Sequence, residues 1–165
     1  MVPAEQSLRY ASLTNRNRRS KAMASAVYPA FFFTVVLLFT TAYFLLGGLP
    51  LLILKHDVPL DARFIRGFFN VYYKAAFWAA VGACASFALW GRFGFAAGAA
   101  MLAVLAVVLR KRMVPTMHNL AVQIETNDEV AVQRFRKVHQ TALLINLGQL
   151  VLLVWGTLQL SRAMQ

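Results

Sequence analysis

Acidic side chains are scarce in this chain: six Asp and Glu stand against seventeen Lys and Arg in 165 residues. None of the six falls between Val27 and Leu54 or inside the other long apolar runs. Proton pumps and cation transporters usually depend on an intramembrane carboxylate, so that class loses its main support. Paired carboxylates for acid–base work or for an oxygen-ligated metal are missing as well. The single cysteine, Cys84, lies in an apolar segment, which excludes an intramolecular disulfide, a CxxC pair and a thiolate metal site. No nucleophile has a convincing base, no glycine-rich loop is placed to cradle a phosphate, and HExxH is absent. With this inventory, catalysis is not expected.

What the chain has in abundance is apolar surface. It is 59% hydrophobic and only 14% charged, too little charge for the outside of a water-soluble domain. The formal charge of +11 does not point to nucleic acid, because the basic residues sit beside apolar runs and form no continuous stripe. An anionic lipid surface, or an acidic partner at such a surface, accounts for them better.

Taken in order, residues 1–26 form a basic polar tail with Arg9, Arg16, Arg18, Arg19 and Lys21. A secretory signal fits poorly, since the apolar run that follows is too long and lacks a small-x-small cleavage site. Residues 27–162 make the membrane domain, and 163–165 a short tail. The first span runs from about Val27 to Leu46, with Pro29 in its first turn; Gly47, Gly48 and Pro50 are expected to break it, with apolar Leu49 to Leu54 as a kinked continuation or an interfacial segment covered by neighbouring helices. Thr34, Thr40 and Thr41 can bond back to their own helix carbonyls.

The second span covers about Phe64 to Trp90 and carries Arg66, Asn70, Tyr73 and Lys74 as a polar stripe at its beginning, with Lys74 snorkelling to the interface. Gly91 and Arg92 form a tight turn into the third span, Phe93 to Leu109, which opens with Gly94 and Gly98 followed by Ala-rich turns and offers a small face to pack on that of the second span, Ala75, Ala79 and Ala83 with Gly82 and Ser86. Beyond Arg110, Lys111 and Arg112 the helical period continues to Ile124. Thr126, Asn127 and Asp128 reverse the chain, and Val130 to Lys137 returns.

The fourth span follows, giving an all-α, four-helix transmembrane bundle with a protruding hairpin between the third and fourth helices. Both termini then share one side; the basic tail favours the cytoplasm, while Arg110, Lys111, Arg112, Arg134, Arg136 and Lys137 of the hairpin favour the opposite orientation, and the expected location is a bacterial inner membrane.

The fourth helix organises the polar chemistry. His139 and Asn146 lie two turns apart and Gln149 follows three residues later, so the three share a face. With Lys74 and Arg134 they make the polar face expected inside the bundle. His139 and His118, on opposite arms of the hairpin, are the candidate ligands for a haem b or a metal, whereas His56 lies in a loop at a distance from both.

Three stretches carry a resemblance: FFNVYYKAAFW in the second span, VLRKRMVPTMHNL leaving the third, and RFRKVHQTALLINLGQL opening the fourth. Over about Thr34 to Leu160 the chain resembles the transmembrane protein 205-like family, a four-span family of unassigned function. Arg134, Phe135, His139 and Asn146 stand where that family has its Arg-Phe, its His and its intramembrane Asn. The layout is similar, more distantly, to four-span haem-binding protoporphyrinogen oxidases and copper-resistance membrane proteins, which use a His in the first or third span; this chain has none there.

The functional expectation is a non-catalytic accessory or assembly subunit of a larger membrane complex, respiratory or photosynthetic. It would hold no cofactor and contact lipid and other subunits through its tail and helix faces. The alternatives are a haem- or metal-binding redox protein using His139, and a small transporter lined by Lys74, Asn146 and Gln149.

Overall fold

The computed structural model describes residues 4–53, 59–125 and 129–162, and every element among them is helical. There are four helices: α1 (Ala4–Ile53), α2 (Pro59–Leu89), α3 (Phe93–Glu125) and α4 (Glu129–Arg162). Backbone contacts join α1 to α2, α2 to α3, α3 to α4 and α4 to α1. The helices therefore stand in a ring in chain order, alternating in direction. The reversal at Thr126–Asp128, the loop bearing His56, and residues 163–165 lie outside the described residues.

Residues 1–26 were expected as a polar tail; from Ala4 onward their backbone is helical and continuous with the span in α1. Nothing between Ala4 and Tyr28 is Gly or Pro, so no residue there opposes helix. At about 1.5 Å per residue, 50 residues make a rod of about 75 Å, far longer than a hydrocarbon layer of roughly 30 Å.

The helix also passes through Gly47, Gly48 and Pro50 without ending. Neighbouring helices explain the glycines: a Cβ at Gly47 would lie 2.9 Å from the Phe68 ring, and one at Gly48 2.6 Å from Leu143 Cδ2. They permit close approach of α2 and α4 where punctuation was expected.

Three of the four helices are long and apolar enough to cross a membrane: α1 over Ser25–Leu52, α3 over Phe93–Ile124 and α4 over Val130–Arg162. This is compatible with a membrane protein. The second helix, expected as a fourth span, does not meet that measure. Its first half holds Arg63, Arg66, Asn70 and Lys74, and its second half is built largely of Ala, Gly, Ser and Cys instead of branched aliphatics. The buried alanines Ala76, Ala79, Ala80 and Ala83 of α2, and Ala96, Ala99, Ala103 and Ala106 of α3, belong to the core of this pair. Small side chains allow the two backbones to approach where no hydrophobic effect drives them together.

The turn between α2 and α3 is closed by its own backbone. Gly91 takes φ 79°, and the Arg92 N–H donates to the Phe87 carbonyl at 2.9 Å, the left-handed glycine ending of a helix. Arg92 caps α3 by accepting from the Ala96 N–H, and its guanidinium lies over the Trp90 ring at 5.3 Å.

At the other end the α3–α4 hairpin packs through Met117, Leu120, Ala121 and Ile124 against Ala131 and Phe135, all buried. It does not stand free of the bundle. The Arg66 guanidinium of α2 contacts His118 Nδ1, and Arg110 Nε donates to Asn70 Oδ1 at 3.0 Å, so the first turns of α2 run alongside the outgoing arm.

Candidate functional site

The deepest polar groups come from α1, α2 and α4. Asn146 is fully buried, and its Oδ1 accepts from the Tyr72 hydroxyl at 2.6 Å while its Nδ2 donates to the Ala142 carbonyl one turn back at 2.7 Å. One turn deeper, Gln149 Nε2 donates to Thr41 Oγ1 at 3.4 Å, and that hydroxyl donates to the Leu37 carbonyl at 2.8 Å. Thr34 and Thr40 bond back in the same way to Ala30 and Val36. Each bond removes the cost of a polar group held away from water, about 1–3 kcal/mol if left unpaired.

Aromatic rings pack around this cluster. Phe44 of α1 is fully buried and stacks on Tyr72 with centroids 3.9 Å apart and on Phe68 at 5.3 Å, while the Phe69 edge meets it at 4.8 Å. Tyr73 lies beside Tyr72 with centroids 5.1 Å apart and is equally buried, yet its hydroxyl has no hydrogen-bond partner among the described residues. Two consecutive tyrosines thus have opposite circumstances.

Of the residues expected to form the polar face, His139, Asn146 and Gln149 are buried together on α4. Lys74 and Arg134 are not with them: both are exposed. The stripe on α2 is divided, with Arg66 and Asn70 turned to α3, Tyr73 inward and Lys74 outward. The reason is the helical period, since residues one apart differ in direction by about 100°.

The two candidate ligand histidines are also separated. His139 is fully buried, meets the Phe69 ring edge-on at 5.3 Å, and would lie 3.8 Å through Nε2 from a Cβ at Gly48. His118 is exposed and engaged by Arg66. No group of three or more His, Cys, Asp or Glu suited to a metal occurs among the described residues.

Among the cavities that adjoin the described residues, neither of the two that follow is lined by His139 or His118. One, of about 430 Å³, is bordered by all four helices near the α2–α3 turn, and Gly94, Gly98 and Gly156 line it. A Cβ at any of the three would meet nothing within 4 Å, so of the small face expected on α3 Gly94 and Gly98 stand outside the interface with α2. The Ala-rich turns that follow them supply its buried residues, Ala96, Ala99, Ala103 and Ala106. The other cavity, of about 800 Å³, lies between α1 and α2 and includes Phe44 and Tyr72 in its wall.

Comparisons with protein-family models, with curated proteins and with solved structures find no match.

Tyr72 and Phe44 are the members of the buried cluster that sequence reasoning missed. Tyr72 stands next to the Tyr73 that the polar stripe suggested, and only the rotation of α2 about its axis distinguishes the two. A usable signal was the run FFNVYY, whose rings recur at three- and four-residue spacing and so form an aromatic face.

Proposed function

We propose that the chain is an integral membrane protein that acts through its surfaces, as an accessory or assembly subunit of a larger membrane complex, respiratory or photosynthetic. The observation that carries this reading is the use made of its buried polar side chains. Tyr72, Asn146, Gln149 and Thr41 join α2, α4 and α1 to one another, which is a structural task.

Two external features supply the surfaces. Gly94 and Gly98 stand one turn apart on α3 with Gly156 of α4 nearby, uncovered beside the cavity of about 430 Å³, and such spacing suits the approach of a partner's helix. The amino-terminal part of α1, continuous with the span, provides a rigid basic arm. The arm's charge favours placing both termini on the cytoplasmic side of a bacterial inner membrane. The resemblance to the transmembrane protein 205-like family is in keeping with this reading, with Asn146 and His139 as positions that hold the bundle.

Purification in mild detergent tests it. The native protein is expected to bring other membrane subunits with it, and Gly98→Leu to lose them while remaining folded, since its side chain enters open space. A stable, solitary monomer from the native membrane would refute the proposal.

A further inference from the structure

The cavity of about 430 Å³ near the α2–α3 turn opens to one side of the bundle. Its floor is buried and comes from all four helices: Leu37 of α1, Phe87 of α2, Ala99 of α3, and Leu153 and Leu160 of α4. Its rims are exposed, Met101 on α3 facing Leu152 and Trp155 on α4. Gly94, Gly98 and Gly156 put no side chain into the space between, so the gap faces outward between α3 and α4.

The wall has one chemical character. No charged residue lines it, and the hydroxyls of Thr34 and Thr157 both donate to carbonyls of their own helices, those of Ala30 and Leu153, at 2.7 Å. Nothing in such a wall holds water, and apolar cavities stay dry. Left empty, it would forfeit the dispersion contacts of every atom that lines it. Its α1, α3 and α4 residues fall within the segments long and apolar enough to cross a membrane, so the medium at its mouth is hydrocarbon.

Dimensions select the occupant. From Leu152 to Leu160 on α4, and from Gly94 to Leu102 on α3, the helix rises about 12 Å, against about 15 Å for half of a hydrocarbon layer. A helix about 10 Å across fills about 120 Å³ per residue, so a space of about 430 Å³ holds roughly one turn and admits no helix. A thin, flexible methylene chain fits both the width and the depth. At the outer end Gln159, half-buried and close to the end of α4 at Arg162, offers an amide N–H to a neutral carbonyl.

We infer that this cavity seats one acyl chain of a membrane glycerolipid. The chain enters sideways between α3 and α4 from the leaflet beside the α2–α3 turn, with its ester carbonyl at Gln159. Its headgroup stays outside and is not selected, because no charge borders the cavity. The inference rests on the protein being embedded in a membrane and needs no protein partner; a partner's helix pressing on Gly94 and Gly98 would close the mouth over the chain.

The full chain, produced recombinantly, is reconstituted in vesicles of phosphatidylcholine and phosphatidylglycerol with identical acyl chains, extracted in detergent, and weighed by native mass spectrometry. Native protein is expected to retain a single diacyl lipid, with either headgroup equally. Gly156→Leu and Gly94→Leu fill the cavity from two different helices and lose that lipid. Gly67→Leu, equally open but between α1 and α2, keeps it. Circular dichroism verifies that all three remain helical. With acyl chains brominated at mid-length, the retained lipid quenches Trp155 in a Trp78→Phe, Trp90→Phe background.

Native protein that retains no lipid, or Gly156→Leu and Gly94→Leu variants that retain as much, would overturn the inference. So would selection by headgroup, or a retained mass belonging to a free fatty acid or an isoprenoid. Flotation with the vesicles reports embedding separately: protein that fails to float refutes both proposals, and protein that floats yet retains no lipid refutes this one alone. Retained lipid in a protein that brings no subunit from its native membrane refutes the partner reading and leaves this one standing.

Discussion

Tyr72 and Tyr73 should respond in opposite directions to loss of the same atom. Tyr72→Phe removes the donor of a 2.6 Å bond between α2 and α4 and leaves Asn146 Oδ1 unpaired at a position without access to water. Interhelical hydrogen bonds in membrane proteins contribute about 0.6 kcal/mol on average and up to about 1.7 kcal/mol. The shortness of this bond and the complete burial of Asn146 place the expected loss in the upper part of that range. Tyr73→Phe removes a buried hydroxyl that has no partner among the described residues, so it is expected to be neutral or to stabilise by up to about 1 kcal/mol. Both substitutions leave ring packing intact, which isolates the hydroxyl.

The assay is reversible unfolding in mixed micelles of increasing sodium dodecyl sulfate, followed by helical content. A double-mutant cycle of Tyr72→Phe with Asn146→Leu should show coupling of about 0.5–1.5 kcal/mol. If Tyr73→Phe destabilises as much as Tyr72→Phe, or if Tyr72→Phe shows no coupling to Asn146, the rotation assigned to α2 is wrong.

Other substitutions probe the packing. Phe44→Ala, which empties the centre of the aromatic stack, should cost about 3–5 kcal/mol in the same unfolding assay. Gly82→Ala should destabilise by about 1–3 kcal/mol, because its Cβ would fall 2.6 Å from the Phe33 ring. Gly94→Ala enters open space and should stabilise by about 0.5–1 kcal/mol through helix propensity. His118→Gln, at an exposed position, should change stability by no more than about 0.5 kcal/mol.

Four helices, their order and the tight turn at Gly91 were legible in the chain itself. Run lengths of apolar residues and the shortage of intramembrane acids need no tertiary information. The shared burial of His139, Asn146 and Gln149 followed from spacing on a single helix, because the period of 3.6 residues is set by the backbone.

Other features required the assembled bundle. Gly47 and Gly48 read as breakers by local preference, and only the Phe68 and Leu143 side chains packed over them show why they are small. Gly94, Gly98 and the Ala-rich turns after them read as one small face, but α3 presents its alanines to α2 and turns these two glycines outward. Lys74 shared a stripe with Arg66 and Asn70 by count, yet it points away from the buried trio.

Thus the chain's own pattern determines which residues share one helical face, through bond geometry that repeats identically along each rod. Which face meets which neighbour is decided by the fit of four rods together. That rotation depends on contacts between residues far apart in sequence, such as Tyr72 with Asn146, which no local period encodes.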